Sequence, residues 1–325
     1  HQAITNPKTP CTIPVTHHVS RIIPMNPPIL ILHATGSNRD REAAWACELA
    51  GGAPEIVHVN QLATGQRHLR DYRMLVLPGG FSYGDDLGAG KLWAVALRHR
   101  LGDELAAFIA AGRPVLGICN GFQALVKAGL LPGLNDEAGM MKDEVRTMSD
   151  EAGTPLQRAE SPNPDSSFIL HPSSFSPQAT LTRNDSARFE CRWVYLEPQA
   201  GSPCVFTQGL TEPIYCPVAH GEGKFVARDA AMLTAIEAQG LAALRYTRPE
   251  ATEAATTNGA GYPWNPNGSQ NDIAGICSPS GTVFGLMPHP EDHVIPQQHP
   301  RVHRGERGLL GLPLFVNGVC YAANL

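Results

Sequence analysis

Hydrophobic positions in this chain arrive as short unbroken runs separated by stretches of helical spacing, not as long alternation. Residues 29–32 are such a run. A polar turn follows, and then apolar and alanine positions recur every three or four residues from Asp40 to the glycines at 51 and 52, which predicts a strand and then a helix. "EIVHVN" (55–60) predicts a second strand and "YRMLVLPGG" (72–80) a third. Residues 91–112 predict one helix, and "PVLGIC" (114–119) a fourth strand. Apolar strands joined by helices are the pattern of a parallel sheet covered on both faces. The expected fold class is α/β: an open, mostly parallel sheet with helices on both faces, antiparallel additions and a loop insertion. Reactive groups in such sheets gather beyond the carboxyl ends of the strands. "LPGG" (77–80) and "GICNG" (117–121) are two such ends, placed to open into one crevice.

The pattern lapses in two places. Residues 1–28 are proline-rich with few apolar clusters and read as an N-terminal arm. Residues from about 134 to 178 are acidic, then rich in Ser and Pro, and read as an insertion or lid. Between and after them, 29–325 reads as one domain without internal repeat. "ATLTRNDSARFECRWVYL" (179–196) predicts an antiparallel strand or hairpin, "IYCPVAHGEGKFVA" (214–227) and "GLAALRYT" (240–247) further strands. A Gly- and Asn-rich loop then leads into the last strand and His289-Pro290-Glu291.

Composition narrows the function classes. With 42% hydrophobic and 17% charged residues over 325 positions, the chain can bury a large core. A net charge of -5 without a long basic run gives no footprint for nucleic acid. No apolar stretch reaches the roughly 18–20 residues of a membrane helix, and no signal-peptide core stands at the start. The eight cysteines are scattered without zinc-like spacing, so reduced thiols in a cytoplasmic protein are the simpler expectation. The chain begins at His1, which reads as a trimmed end.

Cys119 sits at the end of an apolar strand, between Gly117 and Gly121. A strand-turn-helix corner there exposes the side chain at its apex and aims helix N–H groups at it, which favours a thiolate and can hold an oxyanion. A buried structural cysteine is the alternative. His289 follows a strand, with Glu291 two residues on to orient it as the third group of a triad; a solvated loop is the alternative. A metal site of His289, Glu291 and His293 matches no helical zinc motif. The order Cys, His, Glu also departs from that of the α/β-hydrolases. "GDDLGAGK" fails as a phosphate loop, because Asp85 stands where glycine is needed and Leu92 where Ser or Thr is. Gly79 and Gly80 instead free a backbone N–H at a strand end, suited to an oxyanion donor; an ordinary turn would look the same.

Six segments taken together, "PGGFSYGDDLGAG", "GICNGFQ", "LTRNDSARFECRW", "VAHGEGKF", "NPNGSQNDIAGI" and "GLMPHPE", resemble the glutamine amidotransferase components of phosphoribosylformylglycinamidine synthases, which are class I (triad-type) amidotransferases. The resemblance spans about 29–133 and 178–325 and implies a flavodoxin-like amidotransferase fold. It implies that Cys119 attacks the side-chain amide of glutamine, that His289 is base and then acid, and that Glu291 orients it. Gly80 and Asn120 would hold the oxyanion through their N–H groups. Gly79, Gln123, His220, Gly221 and Glu222 would shape the glutamine pocket. The ammonia would pass to a synthetase component, together with a small accessory subunit, that uses ATP and Mg to convert formylglycinamide ribonucleotide to the amidine; this chain would carry no cofactor or metal. The arm and the insertion exceed the family pattern. Another cysteine hydrolase of the same fold, peptidase-like or γ-glutamyl-cleaving, is the alternative reading.

Overall fold

The computed structural model describes residues 26–134, 177–249 and 259–325. Most of the arm, nearly all of the insertion and residues 250–258 therefore lie outside the described residues. The central sheet has nine strands. Its first half is formed by β1 (Pro28–His33), β2 (Ala53–His58), β3 (Met74–Leu77) and β4 (Val115–Ile118), in the order β2-β1-β3-β4, all parallel. β11 (Val283–Leu286) pairs parallel with β4. The sheet continues antiparallel through β10 (Ile273–Cys277), β9 (Ala242–Thr247), β6 (Glu190–Pro198) and β7 (Ile214–His220). Only β10 and β6 run against the other seven strands. A separate antiparallel pair joins β5 (Ala179–Thr182) to β8 (Lys224–Ala227).

The apolar strands β3, β4 and β11 and the Ile29–Leu32 run of β1 are buried because helices cover both faces. α1 (Asp40–Leu49) packs with the last helix, α7 (Leu312–Ala323), and α3 (Lys91–Arg100) with α5 (Asn120–Lys127). On β3, Met74 lies against Gly318 of α7 and Leu77 against Gly121 of α5. Residues three apart on a strand face opposite ways, so the two helix pairs take opposite faces.

The structure corrects several expectations. Residues 91–112 are two helices, α3 and α4 (Gly102–Ala110), because Leu101 leaves helical geometry (φ -125°, ψ 4°) to bury its side chain before Gly102. The second strand stops at His58, whose ring accepts from the Asn60 N–H and caps the short α2 (Val59–Ala63). Residues 179–196 are not a hairpin; β5 and β6 belong to different sheets. Besides α2, two helices had no expectation, α6 (Ala230–Ala238), capped by Asp229 accepting from the Met232 N–H at 2.8 Å, and α7.

Candidate active site

Cys119 stands between β4 and α5 with φ 48° and ψ -104°, a conformation that side chains rarely adopt. Such strain costs of order 1–3 kcal/mol and persists only when the surroundings impose it. They do. The Cys119 N–H donates to the Leu286 carbonyl at 2.8 Å, and its own carbonyl accepts the first helical bond, from the Gln123 N–H at 3.0 Å. The helix also presses so close to β3 that a β-carbon at Gly121 would lie 2.0 Å from the Leu77 carbonyl oxygen. Glycine two residues after Cys119 is thus a packing requirement. The Cys119 side chain is 5% exposed and reaches the floor of a cleft of about 200 Å³.

Strand register brings the second member to it. Ile118 of β4 pairs with Leu286 of β11, so Cys119 and His289 leave neighbouring parallel strands at the same end of the sheet. On the other side β3 pairs Leu77 with Gly117 and delivers Gly79 and Gly80. His289 is buried, and its Nδ1 lies 2.7 Å from Glu291 Oε1, which is fully buried. Burial works against charging the ring. The Glu291 carboxylate and then Cys119, through charge and a hydrogen bond, outweigh it and hold His289 well above the ordinary histidine range. His293, the third residue of the metal reading, turns its Nδ1 to the Tyr215 carbonyl instead. Among the described residues no group of three His, Cys, Asp or Glu is arranged to hold a metal ion.

Of the remaining predicted residues, Gly80, Gln123, His220, Gly221 and Glu222 line the cleft with Cys119. Bonds from Phe81 N–H to the Gly36 carbonyl and from Asn38 N–H to the Gly79 carbonyl straddle Gly80 and leave its N–H outside that ladder. Asn120 opens α5, where backbone N–H groups have no helical partner. Its side chain is a bracket: Oδ1 accepts from the Ser82 N–H, and Nδ2 donates to Asp85 and Gln123. Gln123 in turn donates to the Glu222 carbonyl at 2.6 Å. Gly79 does not line the cleft. It gives room to His289, whose Cε1 would meet a β-carbon there at 2.6 Å.

His220 reaches the cleft by a route the sequence did not disclose. Three strands separate β7 from β11 in the sheet order, yet the antiparallel half curls back until the His289 N–H donates to the Pro217 carbonyl at 2.8 Å. The ring is 3% exposed, and burial, helped by the neighbouring charge of His289, pulls its pKa down to about 3. It is therefore neutral, and its tautomer follows from the network. Asn267 Oδ1 accepts from Ser269 N–H and Oγ, so its Nδ2 faces His220 Nε2 at 3.2 Å as a donor. Nε2 must accept, which leaves the proton on Nδ1, a buried donor without a protein partner among the described residues. Gly223 permits this placement, since a β-carbon there would lie 2.1 Å from the ring.

Five further lining residues had no assigned chemistry in the sequence: Phe81, Asp85, Ala89, Phe189 and Ala219. Phe81 and Phe189 are half exposed and stack at 6.4 Å across the rim. Asp85 and Asn267 lie inside "FSYGDD" and "NPNGS"; their signal was position in a recognisable block, without a spacing rule to assign a role.

Known proteins extend these findings. The sequence model of the CobB/CobQ-like glutamine amidotransferase domain matches residues 26–153 and 168–322. The phosphoribosylformylglycinamidine synthase subunit PurQ of Treponema denticola is 45% identical, covering 91% of this chain and 99% of that protein. The subunit of the same name from Dehalococcoides mccartyi is 39% identical over 90% and 96%. A solved structure of PurLQS from Thermotoga maritima superposes with a TM-score of 0.59 at 29% identity, covering 91% of this chain and 99% of that one. The chain belongs to the CobB/CobQ-like glutamine amidotransferases, within the PurQ subunits of phosphoribosylformylglycinamidine synthase.

Proposed function

We infer that this chain is the glutaminase subunit of phosphoribosylformylglycinamidine synthase, hydrolysing glutamine to glutamate and supplying ammonia for conversion of formylglycinamide ribonucleotide to the amidine. The observation that carries the reading is a strained Cys119 on the floor of the cleft, in contact with a His289–Glu291 pair.

The chemistry follows from the arrangement. Cys119 attacks the side-chain carbonyl carbon of glutamine as a thiolate, its proton held by His289. The oxyanion is met by the N–H groups of Gly80 and Asn120. His289 gives its proton to the departing nitrogen, the C–N bond breaks, and a glutamyl thioester and ammonia result. Water, deprotonated by the now neutral His289, attacks the thioester and frees glutamate and the thiol. The Nδ1–H of His220 supplies a donor for an acceptor group of the bound glutamine, and the Asn120–Gln123–Glu222 chain holds the wall opposite.

The product is consumed elsewhere. The partner is a synthetase component that binds ATP, Mg and the ribonucleotide, with a small accessory subunit as a third member. The name of the Thermotoga maritima assembly supports this composition. This chain itself needs no cofactor. Its compartment is the cytoplasm, where cysteine side chains stay reduced.

Cys119→Ala tests the whole reading. Glutamine-dependent amidine synthesis by the assembled complex should be abolished, while synthesis from ammonium chloride should continue. Loss of both would make residue 119 structural. γ-Glutamyl peptide cleavage without ammonia release from free glutamine would favour the alternative hydrolase.

A further inference from the structure

The cleft holds two carboxylates besides the triad acid, Asp85 and Glu222, and they are unequally neutralised. Glu222 Oε2 accepts from the Ala89 N–H and lies 3.8 Å from the Lys127 ammonium. Asp85 forms no ion pair among the described residues. Its Oδ1 accepts from Asn120 Nδ2 at 3.1 Å and from the Gly90 N–H at 3.3 Å, both neutral donors, while Oδ2 has no protein donor among the described residues. Burial, with Glu222 adding like charge, pushes the Asp85 carboxyl up against the opposing pull of the Gly90 N–H, Asn120 and the more distant Lys127. With Lys127 counted, the wall carries one negative charge too many.

Asp85 is also held deliberately. It sits in the left-handed region at φ 53°, next to Gly84 (φ 70°) and Tyr83 (φ 54°), and Asn120, the residue after the nucleophile, pins this turn through both Ser82 and Asp85. A second buried feature of the same cleft points to a zwitterion as the ligand. The orphaned Nδ1–H of His220 requires an acceptor, while Asp85, held only by neutral donors and without an ion pair among the described residues, has room for a cation. A free α-amino acid bears both groups on one carbon.

We propose that Asp85 binds the α-ammonium group of glutamine and thereby sets the preference for the amino acid over an amide of the same length that lacks the amino group. The inference rests on the glutaminase reading. It makes Asp85 the specificity carboxylate and leaves Glu222 to hold Lys127 and the Ala89 backbone.

The test compares ammonia release from glutamine and from 4-carbamoylbutanoate, its des-amino analogue, by the full chain with its synthetase component. Removing a charge-assisted hydrogen bond from one substrate alone should lower its kcat/KM about tenfold to a hundredfold. The wild-type protein should therefore favour glutamine by about that factor, and Asp85→Asn should reduce the preference to near unity, chiefly by raising KM for glutamine. Asp85→Glu should restore part of it. Asp85→Ser, read in the same way, covers the case in which the Asn variant does not fold. An equal fall for both substrates in Asp85→Asn makes the residue structural and overturns the proposal. So does a preference that survives in Asp85→Asn but collapses in Glu222→Gln. If the wild type releases no ammonia from glutamine, the glutaminase reading itself fails and the proposal goes with it.

Discussion

Gly79 and the His289 imidazole stand so close that a β-carbon on residue 79 would come within 2.6 Å of the ring Cε1. The glycine just beyond β3 thus sets where the His289 ring can lie, although it makes no polar contact with it. Two strand ends share one space, and the ring takes what the missing side chain leaves.

Gly79→Ala should therefore disturb catalysis before stability. The added methyl pushes the imidazole away from Cys119, and a displacement of about 1 Å can cost on the order of a hundredfold in rate. We expect kcat for glutamine hydrolysis to fall by about that factor, with the urea midpoint changed little. Ammonia-dependent synthesis by the complex should be unaffected.

Glu291→Gln should shift the pH dependence as well as the rate. Against the opposing effect of burial, the Glu291 carboxylate helps to hold His289 well above the usual range by stabilising the imidazolium. Replacing it with a neutral amide removes that stabilisation, so the pKa falls. The alkaline limb of the kcat/KM profile, where the imidazolium proton is lost, should move to lower pH, and kcat should drop by about two orders of magnitude or more. An unmoved limb would place the titration on another group.

His220 makes a prediction about acid stability. Its folded pKa of about 3 lies below the ordinary histidine value of 6.5, so the unfolded chain binds a proton that the folded chain refuses. This contribution is intact above 6.5 and erodes as pH falls from 6.5 toward 3, at up to about 1.4 kcal/mol per pH unit. His220→Gln should flatten the fall of unfolding free energy over that window by up to one proton, as measured by urea unfolding at several pH values.

Gly121→Ala should act on folding. The β-carbon would lie 2.0 Å from a backbone oxygen of β3, which cannot rotate away as a side chain does. Overpacking of this kind costs about 1–3 kcal/mol. The expected signature is a lowered urea midpoint together with loss of activity, in contrast to Gly79→Ala, which should separate the two.

Much of the site was legible in the sequence for local reasons. An apolar run ending in glycine, cysteine and glycine describes a strand that must turn sharply into a helix, and the φ of 48° at Cys119 is the outcome. His289 and Glu291 are two residues apart, so their 2.7 Å contact needs little beyond the turn that holds them. The break at Leu101 was not legible, because helical spacing runs through it and only burial of that side chain decides the bend. Nor was the partnership of β6 with β7 in place of β5, since alternation names a strand without naming its neighbour.

By itself, then, the sequence determined the parallel α/β half of the sheet, the sharp corner at Cys119 and the pairing of His289 with Glu291. These depend on periodicity and on sterics within a few residues. Tertiary structure alone decided that Cys119 and His289 lie on neighbouring strands in register, and that the curl of the antiparallel half carries His220 back to them. It also decided which cleft carboxylate, Glu222, pairs with Lys127 and which, Asp85, forms no ion pair among the described residues. Charge balance and a histidine's tautomer depend on what packs around a group from distant parts of the chain. Spacing along the polymer carries no record of that.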